Sequence, residues 1–446
     1  MRFTPGSRDV DREVAVLDSL VVVEERPHVA SLVAELQRAA EPVDYYRLQR
    51  KLLHRTYARQ TVSDELRASI RDTKQRLHEL TGVRPFPRDE VVKVQHLLAN
   101  QELAERSCKA VAHALRCVGD GIAWKALRYD RGAISVLGSG KRVGRLATGR
   151  GLDAELQAMV EHWWRDGSFA IHNDLTNSLR TGDLTLPFEP DNTVAIREVK
   201  AGSAYRSAQA GAAERRISFL REGQGASVLG DSKEQLARYP VRFRTGLHVL
   251  RRLLVDARRD GYASAKTSSS VVVVAVDPRT SGGRPGIDVV AAKARALAGW
   301  EDDQIVMTLT LVRRVRERMH HFPYLAPPTI YPLPADDIAE LLLGPLEYVT
   351  TLHAPTLERD FAVRGIEAHV ITRQPEASRV FLRAERGSAQ VELPSLVCEQ
   401  LLTELMDPGC LVEAVQHMLD EVDRGASLGP TLVCLAGEAD AWTWGG

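Results

Sequence analysis

Two apolar runs separated by a four-residue turn constrain the fold of this chain more than any other feature of its 446 residues. The runs cover 183–188 and 193–200, and the sequence Glu-Pro-Asp-Asn at 189–192 is typical of a turn between antiparallel strands. With that turn, the numbers of paired residues sum to 381. The sequence therefore predicts that Asp183 lies opposite Glu198.

The two carboxylates predicted at the end of this hairpin need a physical reason to lie together. Directly opposed side chains have Cβ atoms about 4.5–5.5 Å apart, and like charges at that separation destabilise a sheet. Side chains alternate between faces, so Lys200 shares a face with Glu198. Neighbouring positions are largely apolar, which indicates covered strands. Either the carboxylates bind a cation, or Lys200 neutralises both acids in a structural salt bridge.

A cation at this position favours hydrolysis of a phosphodiester bond. The oxygens of Asp183 and Glu198 would hold Mg²⁺ or Mn²⁺ and leave coordination positions for water and a phosphate. Such an ion polarises the phosphoryl oxygen and lowers the pKa of the bound water. Lys200 would position or help to deprotonate that water and would offset the charge that develops on the phosphate.

An aspartate, a turn and a Glu-x-Lys sequence that ends the next strand resemble the PD-(D/E)xK nuclease superfamily, which has a restriction-endonuclease-like fold. A following helix that carries a glutamine adds to the resemblance. The resemblance covers only the middle of the chain. It implies that Asp183, Glu198 and the backbone carbonyl of Val199 approach the metal and that Lys200 serves catalysis.

The same resemblance implies further site residues on the two helices that flank the hairpin. Gln209, with Arg206 beside it, occupies the place where many members carry a glutamine that contacts the catalytic residues or the nucleic acid. Some members add a glutamate from the helix before the first strand, which points to Glu155 as a metal ligand and to Glu161 as a weaker second candidate. The residue before the aspartate is Gly182, where the family name records a proline.

The charge of the chain is unevenly distributed although 59 basic and 59 acidic side chains cancel. Residues 335–446 contain 7 Lys/Arg and 19 Asp/Glu, which leaves a net charge of +12 for residues 1–334. The stretches 121–150 and 197–260, on either side of the hairpin, are both basic. Such stretches are either ordinary solvated faces or a surface that binds a polyanion.

These basic stretches supply the candidate contacts to nucleic acid, with DNA favoured over RNA. They would provide affinity that does not depend on base sequence and that falls with salt. The individual candidates near the hairpin are Arg180, Arg206, Lys141 and Arg142. A second basic surface, either solvated or in contact with nucleic acid, is predicted on one helix face and consists of Arg47, Arg50, Lys51, Arg55 and Arg59.

The chain divides into three parts by periodicity and composition. Residues 1–120 carry apolar side chains three and four positions apart in runs that contain few glycines, which indicates a helical region interrupted by Pro85 and Pro87. Residues 121–280 contain the hairpin, and residues 281–446 form an acidic part that regulates activity or recruits a partner. The predicted fold class is α/β: a helical N-terminal region, a restriction-endonuclease-like core with a central mixed sheet, and a mixed α/β C-terminal domain.

Local patterns predict individual elements around the hairpin. The core is expected to contain a strand at 133–137, helices at 152–165, 204–222 and 241–259, and a buried strand at 271–276. In the polar connector 173–181, Asn173 or Asp174 is placed to cap one helical turn. The last third is expected to contain helices at 336–343, 397–405 and 410–422 and strands at 368–372 and 380–383.

Neither a membrane segment nor a cysteine framework is predicted. The longest aliphatic run, Val271–Val276, is far shorter than the roughly 20 residues of a membrane helix. The N-terminal sequence lacks the apolar stretch of a signal peptide. The five cysteines are scattered without a CxxC pair. We expect a cytoplasmic protein that has no membrane partner.

The expected activity is metal-dependent cleavage of nucleic acid in genome defence or repair. The alternative is a catalytically inactive nuclease fold that binds nucleic acid or scaffolds a complex through its acidic C-terminal domain. A third alternative is a nuclease kept silent until that domain binds a ligand or a protein. The sequence leaves open whether two chains pair as a homodimer and what residues 281–446 recognise.

Overall fold

The computed structural model describes most of the chain. The described residues are 15–82, 84–85, 87–138, 145–146, 149–187, 194–199, 208–222, 224–225, 234–282, 287–301, 305–310, 325–373, 379–393, 395–426 and 431–436.

The N-terminal region is helical, as predicted, and its described residues include three long helices. They are α1 (Leu20–Arg38), α2 (Pro42–Gly82) and α3 (Arg88–Ala126). Pro85 and Pro87 lie between α2 and α3, where proline ends a helix because it lacks a backbone N–H and clashes with the preceding turn. Helices α2 and α3 pack against each other, and α1 packs against both.

The predicted strand at 133–137 is wrong, because these residues belong to helix α4 (Arg131–Gly138). The backbone N–H of Ala133 donates to Asp130 Oδ1 at 3.0 Å, so an aspartate caps the first turn. Every residue of α4 is buried. A short, fully buried apolar run has no alternation, so periodicity alone does not distinguish a helix from a strand here.

A helix precedes the predicted hairpin and another follows it. Helix α5 (Arg150–Asp166) leads into strand β1 (Ile171–His172), the hairpin strands β2 (Leu184–Leu186) and β3 (Ala195–Arg197), and helix α6 (Ala208–Glu222). A single 3-10 turn (Asn173–Leu175) follows β1. The three strands lie in the order β1-β2-β3, and both pairs are antiparallel.

The predicted register of the hairpin is confirmed. Leu184 pairs with Arg197, and Leu186 pairs with Ala195, so partner numbers sum to 381. Both strands are shorter than predicted, and residues 188–193 lie outside the described part of the chain. Ala158 and Met159 of α5 pack on this sheet. Among the described residues the sheet is antiparallel throughout, which differs from the central mixed sheet that was expected.

Three further sheets occur among the described residues. One is mixed, in the order β13-β5-β4, with β4 (Gln224–Gly225) antiparallel and β13 (Thr431–Ala436) parallel to β5 (Glu234–Arg242). The second, in the order β6-β7-β9-β8, is antiparallel and consists of β6 (Tyr262–Lys266), β7 (Val271–Val276), β8 (Ile305–Thr310) and β9 (Glu347–His353). The third is antiparallel and consists of β10 (Glu367–Arg373), β11 (Arg379–Arg386) and β12 (Ala389–Leu393).

Helices cover these sheets. They are α7 (Leu247–Asp260), α8 (Ile287–Ala298), α9 (Ala335–Leu343), α10 (Ala354–Ala362), α11 (Ser395–Thr403) and α12 (Pro408–Asp423). The predictions for the last third are confirmed within a few residues. The helix predicted to begin at residue 241 begins instead at Leu247, because the chain up to Arg242 belongs to β5.

One large hydrophobic core spans much of the described chain, with buried side chains from Val16 to Leu419. Two smaller clusters lie beside it, one on the hairpin sheet and one around β7. Strand β7 pairs with β9, so one sheet contains strands from both sides of position 280. The architecture is thus mixed α/β with a helical N-terminal region. No helix among the described residues is both long enough and apolar enough to cross a membrane.

Candidate functional site at the hairpin

The backbone of Asp183 extends the pairing of the hairpin beyond its regular strands. Its N–H donates to the carbonyl of Arg197 at 3.2 Å, and its own carbonyl accepts from the N–H of Asn173 at 2.9 Å. The carboxylate reaches across the hairpin, where Oδ2 accepts from the N–H of Val199 at 2.6 Å. Asp183 is therefore fixed beside the segment that contains Glu198.

The backbone at Gly182 shows where the carboxylate of Glu198 points. Gly182 has φ +72°, and a Cβ atom at this position would overlap Cγ2 of Ile196 and lie 3.7 Å from Glu198 Oε1. The Glu198 carboxylate thus turns back toward the end of β2 that carries Asp183. Proline holds φ near −65°, so a proline could not adopt the backbone conformation of Gly182. The chain therefore differs from the family pattern here in backbone conformation as well as in residue type.

Helix α5 brings Glu155 to the same region, but Glu155 has a different partner from the one the resemblance implied. Its Oε2 lies 2.9 Å from Nε2 of His172 on β1, and both side chains are buried. His172 is held in turn by Gln49 of α2, whose Oε1 accepts from the His172 N–H at 2.9 Å while its Nε2 donates to the Ala170 carbonyl at 2.7 Å. This pairing orients Glu155 toward β1.

Asp174 lies in the 3-10 turn, two residues after His172, and burial and neighbouring charges shift its pKa. Burial is the main cause that raises its pKa to about 6, and the negative charges of Glu155 and Asp183 act in the same direction, while His172 and Arg116 oppose the shift. Glu155, His172 and Asp183 therefore each lie within electrostatic range of Asp174. The sequence left open whether Asp174 supports the metal face, contacts a phosphate or simply caps the turn.

Two buried polar side chains hold the loop between β1 and β2. Asn173 donates through Nδ2 to the carbonyls of Thr181, at 2.7 Å, and Gly182, at 3.1 Å, and its Oδ1 accepts from the Thr185 hydroxyl at 2.8 Å. These bonds close the loop just before Asp183. Asn173 therefore acts as a structural tie in addition to lying in the predicted turn.

Asp120 of α3 is the second of these side chains, and it was not among the predicted site residues. It is fully buried and accepts four hydrogen bonds of 2.7 to 2.8 Å, from the N–H and side chain of Asn177 and from the N–H and hydroxyl of Ser178. Burial raises its pKa. An aspartate between Gly119 and Gly121, inside an apolar helical stretch, was the available signal.

The donor set at the hairpin fits a divalent cation in part. Asp183 and Glu198 supply the hard oxygen atoms that Mg²⁺ and Mn²⁺ prefer. However, no three His, Cys, Asp or Glu side chains in the described part of the chain form a group that could hold a metal ion. Glu155 is paired with His172 and does not complete such a group.

The remaining predicted site residues are distributed as follows. Lys200, Arg206, Lys141 and Arg142 lie outside the described residues. Gln209 lies in the first turn of α6. Arg180 is half-buried in the loop, where its Nε donates to the Asn177 carbonyl at 3.1 Å and burial lowers its pKa.

Comparison with protein-family models, with curated proteins and with solved structures gives no significant match for this chain. The basis for a functional proposal is therefore the geometry at the hairpin together with the sequence motif.

Proposed function

We propose that this chain is a metal-dependent nuclease that hydrolyses phosphodiester bonds of nucleic acid, with DNA favoured over RNA as the substrate. The observation that carries the proposal is the register of the hairpin, which pairs Leu184 with Arg197 and so brings the next residues, Asp183 and Glu198, to the same end of the two strands. Folding alone does not favour two carboxylates at neighbouring positions of a hairpin, and a bound cation would offset their repulsion.

Asp183 and Glu198 would hold the ion, and the site around them orients both groups. The bond from the Val199 N–H fixes Asp183, and the close approach at Gly182 fixes the path of the chain beside Glu198. A bound Mg²⁺ or Mn²⁺ would supply polarisation of the phosphate and a water of lowered pKa. Lys200, two residues beyond Glu198, would position the attacking water and offset charge on the phosphate.

The test is cleavage of plasmid DNA, single-stranded DNA and RNA in Mg²⁺, in Mn²⁺ and in chelator. Asp183→Asn and Lys200→Ala should each lower the rate by about 100-fold or more, as expected when a group that stabilises the transition state is removed. Asp153→Asn, at an exposed position of α5, and Lys266→Ala, at an exposed position of β6, are matched controls that should cut normally. Cutting that survives in chelator, or in the Asp183→Asn variant, would refute the proposal.

A second candidate is a nuclease fold that does not cut and instead binds nucleic acid or scaffolds a complex. The pairing of Glu155 with His172 favours it, because this pairing leaves the hairpin with two carboxylates in the described residues rather than a three-ligand group. The acidic residues 335–446 would then dock the partner. Binding of nucleic acid that is unchanged by both substitutions, without cutting under any condition, would support this candidate.

A nuclease kept silent by its C-terminal part is distinguished by adding a partner, not by truncation. Truncation near Gly282 would remove β8 and β9, and β9 is the strand that pairs with the buried β7. The fully buried residues of β7 would then lose their cover, so loss of activity in such a truncation would report unfolding.

A further inference from the structure

A groove lined by charged side chains runs between α1 and α2 on the surface of the helical region. It contains two neighbouring pockets of about 540 and 810 Å³. The basic residues that line it are Arg38, Arg47, Arg50, Lys51, Arg55 and Arg59. Five of these are the residues that the sequence placed on one basic helix face, and α1 supplies the opposite wall and Arg38.

Two of the three acidic groups in the groove are already neutralised by basic partners within the chain. Glu25 is 1% exposed and receives Arg55 at 2.9 Å and Arg59 at 2.5 Å. A buried carboxylate requires such partners, and two arginines on one carboxylate leave one positive charge in excess. Glu35 receives Lys51 at 2.8 Å.

The third acid, Asp44, caps the start of α2. Its Oδ2 accepts from the N–H groups of Ala40 and Glu41, each at 3.2 Å. These backbone bonds lower the pKa of Asp44, with a smaller contribution from Arg47. Asp44 is therefore committed to the helix start, where the positive end of the helix dipole favours it.

Two arginines in the groove form no ion pair with a carboxylate of the described residues. Arg47 and Arg50 lie three positions apart on α2, both are exposed, and neither forms an ion pair within the described part of the chain. Arg38 faces them from α1, where its Nε donates to the Ala34 carbonyl at 3.1 Å. Six basic and three acidic side chains leave a net charge of +3 along the groove.

We propose that this groove binds the phosphate backbone of a nucleic-acid strand. From Glu25 to Arg38 the wall formed by α1 is about 20 Å long, which matches five or six phosphates at about 3.4 Å per strand residue. Arginine side chains present a planar fork of donors that matches phosphate oxygens. The described residues that line the groove include no Phe, Tyr or Trp, so it lacks the aromatic anchors in which protein interfaces are enriched.

Helix α2 links the groove to the hairpin site. Gln49 immediately precedes the groove residue Arg50, but its side chain lies on the opposite, buried face of α2 and holds β1 through its bonds to Ala170 and His172. A strand in the groove therefore lies about one helix diameter, 10–12 Å, from the elements of the site. The inference rests on the proposed function only in taking nucleic acid as the class of ligand.

The test measures binding without cutting. Fluorescence anisotropy in chelator follows a labelled 20-nucleotide single strand and the corresponding duplex, with Arg47→Glu/Arg50→Glu compared with wild type. The matched control is Arg71→Glu/Lys93→Glu, which makes the same charge change at exposed positions outside the groove. Circular dichroism should show that both double variants fold, because all four side chains are exposed.

We expect the groove variant to bind at least about tenfold more weakly than the control at 0.1 M salt. For the single strand, the plot of log association constant against log salt concentration should become shallower, its slope decreasing in magnitude by about 1.4. Equal affinity of the two variants, or no binding by wild type, would overturn the inference. Displacement of DNA by polyglutamate at equal charge concentration would also overturn it, since an acidic protein would then fit equally well.

The outcomes separate this inference from the proposed function. Binding that depends on Arg47 and Arg50, in a protein that never cuts, would support the groove and refute the nuclease. Cutting by the wild type, with equal binding by the two double variants, would support the nuclease and refute the groove.

Discussion

Replacement of Asp120 tests whether the loop before Asp183 is held in place by the helical region. Asp120 lies in α3 and is fully buried. Its Oδ1 accepts from three donors, the Asn177 N–H, the Ser178 N–H and the Ser178 hydroxyl, and its Oδ2 accepts from the Asn177 side chain. Asp120→Ala removes all four acceptor contacts, and the donors remain buried.

The magnitude follows from this count. A buried donor left without an acceptor costs about 1–3 kcal/mol, so four donors give at least about 4 kcal/mol of lost unfolding free energy. Asp120→Asn retains the oxygen that serves three of the donors and places an amide group against the Asn177 amide. It also removes the cost of burying a charge, the same cost that raises the pKa of Asp120. We therefore expect Asp120→Asn to lose only about 1–2 kcal/mol.

Urea unfolding followed by tryptophan fluorescence and circular dichroism measures both variants. Asp72→Ala, at an exposed position of α2, is the control and should change the unfolding free energy by less than about 0.5 kcal/mol. A loss for Asp120→Ala no greater than that of this control would show that Asp120 does not hold the loop. An equal loss for Asp120→Asn and Asp120→Ala would show that retention of the Oδ1 acceptor has no effect.

Three further substitutions test other parts of the site and the core. In thermal unfolding, Gly167→Ala should destabilise the protein by roughly 1 kcal/mol, and Gly182→Ala by at least twice as much. Both glycines have positive φ, but of the two only Gly182 lacks space for a Cβ atom. Equal losses would contradict the close approach of Ile196 to Gly182. The pKa of Asp174 is about 6 in the folded protein and 3.8 for an unperturbed aspartate, so its contribution to stability is present below pH 3.8 and is lost as pH rises through 6. Asp174→Asn should therefore gain about 1 kcal/mol relative to wild type between pH 5 and pH 7 in denaturant titrations, and a constant difference would refute this. Arg131→Met should cost about 3–5 kcal/mol because it leaves Glu404 buried without its 2.7 Å partner, whereas Arg131→Met/Glu404→Gln should cost less than the sum of the single changes in a double-mutant cycle.

The hairpin and its register could be predicted because both signals are local. A four-residue turn of suitable composition fixes which residues pair, and the two-residue period of a strand fixes which face each side chain takes. The same holds for the break between α2 and α3, where Pro85 and Pro87 act on their own backbone.

The elements that were predicted wrongly depend on contacts with residues far along the chain. Strand β5 pairs in parallel with β13, about 190 residues later, so nothing near residue 241 signals that the chain there is a strand. Helix α4 is buried on every side, and its apolar residues carry no period. In both cases tertiary packing decides between conformations that the local sequence leaves equal.

The site shows the same division between local and distant signals. The pairing of β2 with β3 follows from local signals, but the partner of Glu155 does not. That partner is His172, 17 residues later, and its position depends on Gln49, which is 123 residues away from it. A glutamate on a helix before the first strand was identified from the resemblance, whereas its orientation depends on helices that the resemblance does not include.

The helical region therefore contributes directly to the candidate site. Gln49 of α2 fixes β1, and Asp120 of α3 fixes the loop that leads to Asp183. Both side chains are buried. A buried polar group without a hydrogen-bond partner is costly, so each side chain must keep its bonds to the site. Since the face of α2 opposite Gln49 carries Arg47 and Arg50, one rigid helix connects the proposed strand-binding groove to the hairpin. Displacement of α2 would then move the groove and release β1 together, which makes the helical region part of the proposed active unit.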